Sequence, residues 1–182
     1  MVTTEFNEAI ISELNRLNDD AETVVQILSD IVNAERVFLI GNGGSAAICE
    51  HIANDLMKRC RIQAPTLSSA ALITCLANDY GFENMYLKFL QAHKCNMNDI
   101  IIAISSSGIS EDILCPLYHY KDESNIQTIG ISGFYLFPDD ITDIRVDIQS
   151  HNYGVVEMVT EIFLHGIIEE IVWDLEGNDK DE

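Results

Sequence analysis

The chain has 182 residues, 47% of them apolar, and its 30 acidic side chains against 10 basic ones give a formal net charge of −20. That length suits one domain with a proper core rather than two, and no apolar run approaches the ~20 residues that cross a bilayer, so a membrane is not an expected partner. The acidic excess repels a phosphodiester backbone and leaves few cations for counterion release, which argues against direct contact with nucleic acid. A charged substrate stays admissible, because local backbone dipoles can oppose the field of the whole surface.

The N-terminal stretch MVTTEFNEAIISELNRL lacks the basic start and apolar block of a signal peptide, so a cytoplasmic location is expected. Phe6, Ala9, Ile10, Leu14 and Leu17, then Ala21, Val24, Val25, Leu28 and Ile31, recur at spacings of three and four around "NDD" at 18–20. This predicts two successive amphipathic helices, with Asp19 or Asp20 capping the second. The first has no core of its own in the pattern and is expected to pack in an oligomer.

From Arg36 the pattern changes to the short runs "RVFLIG", "NDIIIAIS", "IQTIGISG" and "DIRVDIQ", separated by segments of helical periodicity. Runs that are apolar throughout fit strands of a parallel sheet buried on both faces. Their alternation with helices predicts a doubly wound α/β layer architecture, with ligands beyond the carboxyl ends of the strands. The expected organisation is one domain over 1–176, including an N-terminal helical extension at about 1–33, with 177–182 as a solvated acidic tail. The cysteines, Cys49, Cys60, Cys75, Cys95 and Cys115, are odd in number and form no CxxC pair, which predicts buried reduced thiols.

Two loops share one design. After the first strand comes Gly41-Asn42-Gly43-Gly44-Ser45 and then a helix to about Arg59. Glycines let the backbone approach an oxyanion, and the helix start presents unpaired N–H groups. Alone this is equally a plain turn, and it matches neither GxGxxG nor GxxxxGKS. The stretch "IIIAISSSGIS" repeats the arrangement with Ser105, Ser106, Ser107, Gly108 and Ser110 before a helix near Glu111. Ser110 as a helix cap, with Glu111 and Asp112 in the first turn, accounts for one serine and not for four. Together the loops are expected to hold a phosphate.

Beyond the first loop, His51 and Asp55 are four residues apart and share a helix face, as do Glu157, Glu161 and His165 near the C-terminus. Two imidazoles and two carboxylates at such spacings suit a zinc-like divalent ion. Surface pairing explains the same spacings, and the residues alone leave both readings open.

The segments "IGNGGSAA", "HIANDL", "CLANDYGF" and "AISSSGIS" resemble the sugar isomerase (SIS) family, and within it the sedoheptulose-7-phosphate isomerase branch, over most of the chain. The resemblance implies a Rossmann-like five-stranded parallel sheet between helices, a homotetramer, and a phosphosugar site between subunits. It assigns phosphate binding to the loops carrying Asn42, Gly43, Gly44, Ser45, Ser105, Ser106, Ser107 and Ser110. It also aligns Asn78 and Asp79 with a family Asn-Asp pair, Asp79 contacting sugar hydroxyls or assisting ring opening, although a helix-ending turn before Gly81 explains that pair too. Arg59 falls where the family carries an arginine near the site.

Aldose–ketose isomerisation through an enediol needs a base beside carbon and an acid or metal at the carbonyl oxygen. The resemblance implies a metal ion held by His51, Asp55, Glu157 and His165, with Asp55 as base, His165 as acid and Glu157 also facing substrate. Two positions depart from the family: Asp55 stands for its Glu and Glu157 for its Gln. A carboxylate one methylene shorter moves the base or the metal by about 1 Å, a displacement that can cost ~100-fold in rate. The expected activity converts sedoheptulose 7-phosphate to D-glycero-D-manno-heptose 7-phosphate. The alternative is a non-catalytic SIS tetramer acting as a protein-binding scaffold, as in a group that binds the bacterial replication initiator. A phosphosugar sensor ranks last, since no basic segment could serve as its DNA-binding part.

Overall fold

A computed structural model of the chain describes residues 2–123 and 126–178. The four apolar runs become parallel strands, β1 (Val37–Gly41), β2 (Ile100–Ser105), β3 (Gln127–Ser132) and β4 (Ile144–Asp147), hydrogen-bonded in sequence order. Leu39 lies opposite Ile102, Ile102 opposite Ile129, and Ile129 opposite Ile144. Side chains alternate between two cores: Val37, Leu39, Ile100, Ile102 and Ile104 enter one, while Phe38, Ile40, Ile101 and Ala103 enter the other. A strand covered on both sides has no polar face, which is why β1 and β2 read as continuously apolar, whereas the marginal β4 is half-buried and carries Arg145 and Asp147.

Helices α1 (Val2–Asp19), α2 (Ala21–Asn33), α3 (Gly44–Arg59) and α7 (Tyr153–Asn178) cover the first face. The second is covered by α4 (Ala70–Tyr80), α5 (Met85–Ala92) and α6 (Glu111–Glu123). Asp20 caps α2, its carboxylate accepting from the Thr23 amide at 3.2 Å. The apolar stripe of α1, Phe6, Ala9, Ile10 and Leu14, packs on the chain's own core beside α7. Its polar side is tied down as well. Arg16 donates to Glu13 at 2.8 Å and to the Asp147 carbonyl, and Glu13 accepts from the Gln149 amide at 2.8 Å.

The sheet has four strands where five were expected. Residues 63–66 run parallel beside β1 but make only isolated bridges, Arg36 with Gln63 and Leu39 with Thr66. The Val37 amide donates to the Gln63 carbonyl at 2.8 Å. Pro65 then interrupts the ladder, having no N–H to give. At the other end, α7 continues through Glu176 to Asn178, past the point where a tail was expected, and 179–182 lie outside the described residues.

All the cysteines are free. Cys49 and Cys60 are buried, which pushes both thiols up, but Cys75 is exposed, against the expectation of burial. No helix among the described residues is long and apolar enough to cross a membrane.

Candidate active site

Both glycine- and serine-bearing loops lie at the carboxyl ends of adjacent strands. Gly43, at φ +55°, is the cap residue before α3, and the Ala46 amide donates to the Asn42 carbonyl at 3.3 Å. Tyr86 fixes the turn by donating its hydroxyl to the Gly41 carbonyl, and burial pushes that phenol up. The Asn42 amide donates to Asp112 Oδ2 at 2.7 Å. Burial raises the Asp112 carboxyl and this hydrogen bond pulls it the other way.

In the second loop Gly108 sits at φ +74°, and a Cβ there would lie 1.8 Å from the Tyr135 carbonyl oxygen, so only glycine fits. Ser110 does not cap α6 with its hydroxyl. That oxygen lies 3.1 Å from Ser105 Oγ and 3.4 Å from Ser107 Oγ, while its carbonyl accepts from the Ile113 and Leu114 amides. The Ser106 carbonyl takes the Gly133 and Phe134 amides and locks the loop to the end of β3.

These groups line a cavity of about 130 Å³ with Asn42, Ser45, Tyr153 and Glu157. A drug-sized ligand needs some 300 Å³ or more, so the cavity takes an anionic group and not a whole sugar phosphate. Larger cavities, of about 510 Å³, lie away from these loops. One, at the amino ends of the strands, is lined by Asn33, Asn98 and Gln127 together with the carboxylates Asp30, Glu35 and Asp99, whose charge opposes an anion. Another lies beside Cys60 and Leu175.

Helices α3 and α7 run side by side in the same direction, because their contacts pair in the same order along both. His51 Nδ1 lies 3.1 Å from Glu161 Oε1, Asp55 Oδ2 lies 3.5 Å from His165 Nδ1, and Arg59 makes two hydrogen bonds to Glu169, at 2.7 and 2.9 Å. One turn separates each pair from the next. The two imidazoles meet edge to face, centroids 4.7 Å apart at 73°. Arg59 also lies 3.8 Å from Asp55 Oδ2, and its bonds to Glu169 hold that exposed carboxyl below the usual range.

Donor atoms of His51, Asp55 and His165 all lie within 4.8 Å of one another, enough to hold a metal ion. Tetrahedral bonds of 2.0–2.2 Å would bring donors to about 3.4 Å, an adjustment within side-chain rotation. The donor set of two imidazoles and one carboxylate fits a zinc-like ion.

Glu157 is elsewhere. It stands two turns, about 12 Å along the axis, before His165, and it faces Gly44 at the start of α3. The structure therefore brings together three of the four expected ligands and puts Glu157 in the serine cavity. Asn78 and Asp79 are exposed at the end of α4, where Asn78 donates to Asp79 at 2.9 Å and Cys75 to Asp79 at 3.6 Å. Within this chain they reach neither the cavity nor the His–Asp–His group. Sequence reasoning missed Asp112, Tyr86 and Glu169 as partners of the site residues. Only Asp112 left a trace, as an acidic residue in a first helical turn.

The SIS domain model matches residues 5–133. The chain belongs to the SIS domain family. Among its relatives, Phosphoheptose isomerase 2 of Campylobacter jejuni is 34% identical over 132 residues, 69% of this chain and 65% of that protein, so the match spans just under two thirds of the relative's length. A phosphoheptose isomerase structure from Francisella tularensis superposes with a TM-score of 0.80 at 24% identity, covering 93% of this SIS domain chain and 95% of that one. Another from Neisseria gonorrhoeae gives 0.80 at 21%, covering 93% and 96%. These two likenesses establish the fold.

Proposed function

We propose that this SIS domain is a phosphosugar aldose–ketose isomerase whose substrate is sedoheptulose 7-phosphate and whose product is D-glycero-D-manno-heptose 7-phosphate. The observation that carries the reading is that one helix, α3, starts at the serine cavity and bears His51 and Asp55. His51 lies seven residues past Gly44, about 10 Å along the axis. That is comparable to an extended seven-carbon sugar phosphate, with its phosphate in the cavity and its C1–C2 end beside the histidines. The match to phosphoheptose isomerases supports the same choice.

In this reading the hydroxyls of Ser45, Ser105, Ser107 and Ser110 turn from one another to donate to the phosphate, joined by first-turn amides of α3 and by the second loop at Ser106. Asp55 removes the C1 proton while His165 protonates O2, giving the enediol. Returning the proton to C2 and withdrawing the one on O1 completes the aldose. Arg59 steadies Asp55 from the far side. A zinc-like ion held by His51, Asp55 and His165 would supply Lewis-acid stabilisation of the developing oxyanion. The cavity is too small for the sugar, so the substrate extends beyond it. Asp79, exposed here, fits a homotetramer in which a second copy brings its Asn78–Asp79 pair to the sugar hydroxyls.

The test is isomerisation in deuterated water with zinc supplied. Deuterium should appear at C2 of the aldose, metal analysis should find about one ion per chain, and His165→Ala should lose both. A folded protein that binds no metal and leaves sedoheptulose 7-phosphate unexchanged sinks the isomerase reading and favours the scaffold.

A further inference from the structure

Glu157 stands at the start of α7 with its whole carboxylate against the first residue of α3. A Cβ on Gly44 would fall 2.4 Å from Oε1, 2.6 Å from Cδ and 2.8 Å from Oε2, so the carboxylate sits where any other residue's side chain would begin. The same carboxylate lines the small cavity with Ser45, Ser105, Ser107 and Ser110. Among the described residues the Glu157 side chain has no hydrogen-bond or ion-pair partner, so no cationic side chain neutralises it and only the start of α3 faces it.

Everything else in the cavity favours an anion: hydroxyls that bond only weakly to one another at 3.1–3.4 Å, and the start of a sixteen-residue helix whose first amides lack intrahelical acceptors. A carboxylate with no cationic partner, placed in a site built for anions, takes the position an incoming anion would occupy. We propose that Glu157 is a resident anion of this cavity, a gate that must rotate away before a phosphate can settle, and that it sets how tightly the phosphate is held. The inference rests on the cavity being the phosphate site. A dianion and a carboxylate cannot share 130 Å³ without strong repulsion, because at near-contact distance their interaction is only partly screened. Glu157 is only half-buried, which leaves its side chain a way out.

The gate makes binding an exchange of one anion for another. The free chain loses the carboxylate's own interaction with α3 when phosphate enters, and the net affinity is correspondingly low. A neutral residue of the same shape at 157 removes that competition without changing the walls.

The experiment is calorimetric titration of the full chain with inorganic phosphate at pH 7, comparing the natural protein with Glu157→Gln and Glu157→Ala, each checked for an unchanged circular-dichroism spectrum. Both variants should bind phosphate at least about tenfold more tightly, and adding Ser105→Ala should weaken binding in every background. Equal or weaker phosphate binding by both Glu157 variants overturns the gate and leaves the phosphate site standing. Absence of binding in all three proteins overturns the phosphate reading and the gate with it.

Discussion

The two ends of the sheet handle polar groups in opposite ways. At the amino end the half-buried Arg36 pairs with the buried Asp99 through two bonds of 2.7 and 2.9 Å, and Asp99 also accepts from the Asn96 amide at 2.8 Å. Arg36 spends further donors on the His93 and Lys94 carbonyls, and its guanidinium is raised by the bond to Asp99. At the carboxyl end four serine hydroxyls, a carboxylate and a helix start face one small cavity and are satisfied loosely or not at all. Saturated polar groups hold segments of chain together, whereas unsaturated ones aimed at a shared space await a ligand. Arg16, Arg36, Arg59 and Arg145 are each held against a specific carboxylate.

The contrast can be broken most decisively at Asp55. Asp55→Ala should lower isomerase turnover by about 1000-fold, within the range lost with a general base, while inorganic phosphate still binds; a parallel loss of phosphate binding would mean the two halves of the site are not separable. Next comes Asp99→Ala at the other end, expected to cost about 2 kcal/mol in urea unfolding by removing the acceptor of two Arg36 bonds and of the Asn96 amide, yet to leave turnover of the remaining folded protein unchanged. If that variant is catalytically impaired, the amino end is more than scaffolding.

Ser105→Ala should weaken phosphate binding by about tenfold or more, as expected for one hydrogen bond to a charged group, with a smaller effect on unfolding. The smallest effect is at Asp112. Its carboxyl is raised in the folded protein, mainly by burial, so the native state holds its proton more firmly than the unfolded chain does. The associated stability is complete below the unfolded carboxyl value near 4 and is lost as the pH rises above it. Asp112→Asn should therefore match the natural protein near pH 4 and exceed it at pH 7, by under about 1 kcal/mol in denaturant midpoints. A variant less stable at pH 7 would show that the bond from Asn42 outweighs burial.

The central strands were legible because β1 and β2 are buried on both sides and so are written almost wholly in apolar residues, while β4, half-buried with Arg145 and Asp147, kept only a short β-branched run. The serine loops were legible because their residues follow strands directly and cluster within six positions. The partners of those residues were not. Asn42 and Asp112 are 70 positions apart, and nothing local says that an acid in a first helical turn reaches across to a neighbouring loop. The role of Glu157 hid for a related reason. Periodicity puts Glu157, Glu161 and His165 on one face of α7, but the offset between α7 and α3 decides which of them meets Asp55, and that offset is a property of packing. Strand number went astray at Pro65, a residue visible in the sequence whose missing N–H stops a ladder.

That interruption at Pro65 has a bearing on how copies of the chain can associate. The outer side of β1 is occupied by residues 63–66 without becoming a strand able to recruit another. The opposite margin, β4, is only four residues long and carries Arg145 and Asp147. Both margins are thus closed to sheet extension, the usual defence against runaway edge pairing. Growth by adding strands is disfavoured at both margins, and exposed apolar side chains, Met158, Ile162 and Trp173 of α7, lie instead on a helix.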